Sequence, residues 1–213
     1  MSDPGGGAAP IGIDADFWNR HENRGPFRFE HDLVGDERLN HQAIVALAAR
    51  LPAEMVETNI AEMPDVYPSD DVPELDRDPE ALVRDLVELR RWIALSHIEI
   101  DDGYRGLVDE CLGPISDAIG GFEGGMTARE GYLFLSPSGA TTPAHLDYEH
   151  NIFLQILGSK EITVGFVDPD TEARTLESMH GGAYGRSPKL PENPRCIASS
   201  QVRACTSRRR SCT

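Results

Sequence analysis

The chain has 213 residues, with 36 acidic against 20 basic side chains and a formal net charge of -16. That length suits one domain, with appendages at most, and is enough to bury a proper core. So acidic a surface argues against nucleic-acid backbones and anionic membranes as partners, and no run of about 18 apolar residues exists to span a bilayer.

Met1 to Pro10 is Gly/Ala-rich and has neither a basic start nor an apolar h-region, so it does not read as a secretory signal. Residues 1–24 are expected to be a flexible lead-in. Phe27 and Phe29 alternate with polar neighbours between Gly25 and Val34, which predicts a short strand. From Asp36, the spacing of Leu39, Ile44, Leu47 and Leu51 predicts a helix that Pro52 stops. Met63 to Asp76, with Pro64, Pro68 and Pro73 among acids, reads as a loop. Asp78-Pro79 then opens the clearest helix, whose stripe is Leu82, Leu86, Leu89 and Ile93. Another helix is expected over Asp102 to Ile119, with Leu107, Cys111, Ile115 and Ile119 inward and Cys111 acting as a small core residue. Residues 25–120 thus form a helical N-terminal part.

After Gly120-Gly121 the pattern changes to short strands at Gly131 to Ser136, Thr142 to Asp147, Asn151 to Leu157 and Glu161 to Val167. Asp168-Pro169-Asp170 ends the last of them. Residues 121–194 therefore read as the opening strands of an antiparallel barrel, and the whole as an α+β fold. The cysteines, Cys111, Cys196, Cys205 and Cys212, show no CxxC spacing. That suits a reducing, cytoplasmic compartment without structural zinc.

The most informative stretch is Thr141-Thr142-Pro143-Ala144-His145-Leu146-Asp147, followed by Asn151 and Lys160. Two residues apart on a strand, His145 and Asp147 point to one face. An imidazole beside a carboxylate supplies two of the three donors of a 2-His-1-carboxylate Fe(II) site. Lys160, a lone cation ending an apolar strand, suits the carboxylate of a co-substrate as a point charge. From about Gly131 to Pro169 the chain resembles the JmjC/cupin-like family of Fe(II)- and 2-oxoglutarate-dependent oxygenases. The resemblance implies a cupin-like double-stranded β-helix, or jelly roll, with helices packed outside. It also implies Fe(II) on His145 and Asp147, with 2-oxoglutarate met by Lys160 and the Thr142 hydroxyl. Asn151 becomes an orienting or oxygen-site group. The implied reaction is hydroxylation or demethylation of a protein side chain or small molecule. A non-catalytic cupin-like binding or regulatory module is the alternative. Tyr132 and Phe134 precede the motif, where one strand face should line the pocket; core packing is the simpler role for both. His150 lies too close to His145 to complete a triad easily. His180, expected in a loop, is the other downstream histidine.

Residues 195–213 differ from everything before them, with five arginines, three of the four cysteines and no Asp or Glu. They show no strand or helix period, so no ordered strand is expected there. One reading is a basic interaction tail. The other is a slipped reading frame near Arg195. Written in GC-rich codons, the shifted frame yields a polar turn, a glycine, a short apolar strand, a proline run and a histidine. That is how the resembled family presents its distal iron ligand. On this reading the closing strands of the barrel are missing from the chain as written.

Overall fold

The computed structural model describes residues 10–21, 26–67, 73–119, 126, 128–147, 149–182, 185–200 and 203–207. In chain order the elements are α1 (Ala15–His21), β1 (Phe27–Glu30), α2 (His41–Ala48), β2 (Val56–Ile60), α3 (Pro79–Leu89), β3 (Arg91–Leu95) and α4 (Asp102–Ile119). There follow β4 (Leu133–Leu135), β5 (Asn151–Leu154), β6 (Ser159–Phe166), α5 (Pro169–His180), β7 (Glu192–Ser200) and β8 (Arg203–Ser207). The fold is α+β. The named strands pair antiparallel in three small sheets, β1-β8-β5, β2-β3-β4 and β6-β7.

Local chemistry sets the element ends. Asp36 accepts a hydrogen bond from the Arg38 amide over a 3₁₀ turn at Glu37–Leu39, and Asn40 then caps α2 by accepting from the Ala43 amide at 2.9 Å. Two short pieces therefore replace the single helix expected from Asp36, because Asn40 is extended and its side chain satisfies one of the free N–H groups in the first turn. In α3 the expected Pro79 sits in the first turn, and Leu82 and Leu86 are buried. Arg90 adopts a left-handed conformation and ends that helix. Ile93, expected on the same stripe, lies instead on β3, fully buried. The antiparallel pairing of β2 with β3 adds two strands to the one strand and the helices expected of residues 25–120.

One main core joins these pieces. Its members include Leu47 of α2, Leu82 and Val83 of α3, Ile93 and Leu95 of β3, and Leu107, Cys111 and Ile115 of α4. Burying each of the larger side chains contributes about 1.5–3 kcal/mol. Ile11 and Ile13 belong to the same core, and the Gly12 amide donates to the Glu30 carbonyl at 2.9 Å. Within 1–24, the described residues 10–21 are therefore docked along β1 and continue into α1, not loose as expected. Cys111 is the small core residue anticipated, and burial pushes its thiol up to about 11.

The C-terminal stretch departs most from expectation. Residues 192–200 pair with β6, and 203–207 form the middle strand between β1 and β5, so ordered strands do occur beyond Arg195. Ladder bonds join backbone to backbone, so an unfilled slot between two strand edges accepts an extended segment whatever its side chains. The facing edges of β1 and β5 are thereby occupied. Residues 208–213 lie outside the described residues.

His31 closes one end of that slot. It follows β1 and is only 5% exposed. Its Nδ1 accepts the Leu33 amide at 3.3 Å, which requires the neutral ring, and Nε2–H then donates to the carbonyl of Gln155, just beyond β5, at 3.2 Å. Burial is the main reason its pKa lies below the ordinary 6.5, against the raising influence of the Gln155 bond and Asp32. The depressed folded value means that the unfolded chain binds the proton more readily. This contribution to stability is complete above about pH 6.5 and is lost as pH falls from there through the folded pKa. Thermal melts between pH 7.5 and 5 should accordingly show a shallower fall for His31→Gln than for the parent chain; equal slopes would refute the assignment.

Candidate metal centre

The segment from Thr141 to Asp147 is extended but forms isolated rungs in place of the continuous strand expected. The Thr141 amide donates to the Ala61 carbonyl and the Ala144 amide to that of Asp65, both at 2.8 Å. Opposite it runs 185–187, where Leu146 N–H donates to Gly185 O at 2.8 Å and Ser187 N–H donates to Ala144 O at 2.9 Å. His145 and Arg186 are the antiparallel partners of this bridge. Gly185 has φ +66°, and a Cβ there would collide with the Leu146 carbonyl oxygen and lie 2.8 Å from Met179 Sδ. Only glycine suits this approach.

Side chains alternate along 144–147 as a strand requires. Ala144 and Leu146 bury into a small cluster with Val167, while His145 and Asp147 emerge half-buried on the other face. His145 Nε2 and Asp147 Oδ1 are 3.6 Å apart. His145 Nδ1 lies 2.9 Å from the Pro143 carbonyl, an acceptor only. In the neutral ring the proton therefore sits on Nδ1, and Nε2 keeps its lone pair towards Asp147. Asn151, the first residue of β5, donates from Nδ2 to Asp147 Oδ2 at 2.5 Å, which leaves Oδ1 turned to the imidazole. Both donor groups are held by a further hydrogen bond, as metal ligands are.

Two residues without any sequence motif complete the surroundings. Register places Glu57, Ala94 and Phe134 on one rung of the β2-β3-β4 sheet, on the face away from the main core. Burial raises the Glu57 carboxyl above its ordinary pKa, opposed by the charges of Arg186 and His145. Arg186 Nη2 stands 4.0 Å from Glu57 Oε1; its side chain is 8% exposed. Neither position had a periodic signal, because Glu57 lies in a strand of only five residues and Arg186 in a loop.

Lys160 lies on the inward side of β6, alternating with Glu161 and sharing a face with Ile162 and Val164. Burial lowers its pKa. Asn151 thus joins the His145–Asp147 pair directly, whereas Thr142 is exposed outside that cluster. Tyr132 and Phe134 are not core residues as the simpler expectation had it. They stack at 6.1 Å between ring centroids, exposed by 46% and 63%, while Leu133 and Leu135 pack inward. His180 ends α5 and does not lie in a loop. Asp168, whose side chain accepts the Thr171 amide, and Pro169 open that helix. Its buried positions are threonines, so an apolar stripe was missing. Among the described residues no three His, Cys, Asp or Glu side chains gather into a metal-binding group.

No protein-family model matches this chain, and no curated protein matches it either.

A divalent ion held through His145 and Asp147 requires both donors but only the orientation that Asn151 supplies. In titrations with Mn(II), followed by its paramagnetic resonance signal, His145→Ala should abolish specific binding. Asn151→Ala should weaken it roughly 10–100-fold. Unchanged stoichiometry in His145→Ala would remove the assignment.

Proposed function

We propose that the chain carries the site of an Fe(II)- and 2-oxoglutarate-dependent oxygenase, built on a cupin-like jelly roll and acting on a protein side chain or small molecule. The observation that carries this reading is the oriented pair His145 Nε2 and Asp147 Oδ1, 3.6 Å apart on one face. Its support is the hydrogen bonds that aim them, one given by His145 Nδ1–H to the Pro143 carbonyl and one given by Asn151 to Asp147. The donor set, one neutral nitrogen and one carboxylate oxygen, fits a divalent first-row ion with two protein ligands. Bound iron would supply the oxygen-activating chemistry. The chain's own part is to hold and aim: Asn151 fixes the carboxylate, and the Pro143 carbonyl fixes the imidazole tautomer. The half-buried ammonium of Lys160 offers a charge for the co-substrate's carboxylate. Burial of its stem raises the value of that charge, because the surroundings screen it less than water does.

The second reading is a cupin-like binding or regulatory module without turnover, which would use the same His145–Asp147 pair for binding alone. With only two protein ligands, a metal is held weakly and exchanges freely. Turnover separates the two readings.

The 213-residue chain should produce no succinate from 2-oxoglutarate and Fe(II). A gene shifted in frame at the Arg195 codon should yield both turnover and firm iron binding. Stoichiometric succinate from the chain as written would mean that another group supplies the third ligand. In the active form, Lys160→Ala should raise the 2-oxoglutarate KM about tenfold or more, with metal affinity little changed. Equal loss of both would make Lys160 structural.

A further inference from the structure

The most unusual group near the metal pair is Arg186. Its side chain is more than nine-tenths buried, and its Nε–H has no hydrogen-bond partner among the described residues. Being the cross-strand partner of His145, it leaves the backbone on the same side as the imidazole. Its nearest anion, Glu57, stands at 4.0 Å from Nη2, the outer limit of an ion pair. A guanidinium presents its donors as a rigid fork that a carboxylate satisfies with two parallel bonds. Here one prong meets a distant oxygen and the other meets nothing. A buried cation left in that state is costly unless a ligand completes it.

We propose that Arg186 is a carboxylate-recognising residue of the His145–Asp147 site, taking one carboxylate of a small organic acid through Nε–H and Nη2–H. The inference rests on the reading of that site as a metal centre, and it adds a second cation to Lys160. Glu57 is the internal competitor: it faces the same guanidinium, and with Asp147 it repels an incoming anion. A divalent cation on His145 and Asp147 offsets that repulsion, so metal and carboxylate bind with positive coupling. Glu57 also supplies partial neutralisation of the guanidinium from β2.

Calorimetric titration of the full chain with 2-oxoglutarate, and separately with succinate, tests this in metal-free buffer and again with Mn(II). Arg186→Met should weaken both acids about tenfold to a hundredfold, and Arg186→Lys should retain part of the affinity as a point charge. Loss confined to 2-oxoglutarate would identify its 2-oxo acid end as the group received, still through Arg186; loss for both identifies any carboxylate. Glu57→Gln keeps the shape of the site and should tighten binding of both acids by removing the competitor. That variant decides the matter if Arg186→Met fails to fold. Unaltered affinity in folded Arg186→Met, no tightening in Glu57→Gln, or no carboxylate binding by the parent chain would overturn the proposal. A parent chain that binds no Mn(II) would instead count against the oxygenase reading, because the metal-free titrations report on Arg186 alone.

Discussion

The β2-β3 ladder is the constraint on which the remainder hangs. Alternation gives β3 two different faces, with Ile93 and Leu95 fully buried in the main core and Trp92 and Ala94 turned the other way. The first face is covered by helices α2, α3 and α4, which contribute leucines, isoleucine and valine to one apolar cluster. On the second face, small Ala94 lies between Glu57 and Phe134 on one rung, so a carboxylate and an aromatic ring flank a buried methyl group there. A slip of one residue in this ladder would exchange the faces, sending Glu57 into the core and Val56 out. Thr58, wholly buried, resists such a slip by donating its hydroxyl to the Trp92 carbonyl at 2.9 Å.

The candidate centre is held more by backbone than by its own side chains. Two rungs between 144–146 and 185–187 set His145 opposite Arg186, and Gly185 permits the approach. The Met179 side chain fills the space a Cβ on residue 185 would need, which sets this corner beside α5, whose N-cap Asp168 pairs with Lys189 just past the site. That pairing is why the Asp168 carboxyl lies far below the usual range, the Lys189 bond being the largest influence. Open to solvent on one side, it adds direction to the chain more than stability.

Much of this was legible before any coordinates. Asp78-Pro79 and the leucine spacing fixed α3, the Asp102 to Ile119 period fixed α4, and the His-x-Asp alternation put both donors on one face. The illegible parts have physical causes. Strands β2 and β3 are five residues each, too short for a period to stand out, and β3 is buried nearly throughout. Arg90 ends α3 through its own left-handed backbone, with no glycine to announce it. α5 buries threonines in place of leucines. Glu57 and Arg186 reach the site only through tertiary pairing, and no spacing in the chain links residue 57 to residue 186. The pairing of 203–207 was hidden because its side chains argue against a strand, while the slot it fills is defined by β1 and β5.

That slot sets the order in which the molecule can assemble. β1 ends at Glu30, and its ladder partner on β8 is Arg203, so the sheet cannot close until 203–207 has been made and reaches back to 27–30. Helices α2, α3 and α4 depend on nearer neighbours and can form while synthesis continues. Closing a loop of this span carries an entropic cost that must be met before its contacts repay it, which slows the final step. During that delay β1 and β5 present bare edges to other nascent chains. Shielding of those two edges by chaperones should therefore govern the yield of this protein more than the strength of its core.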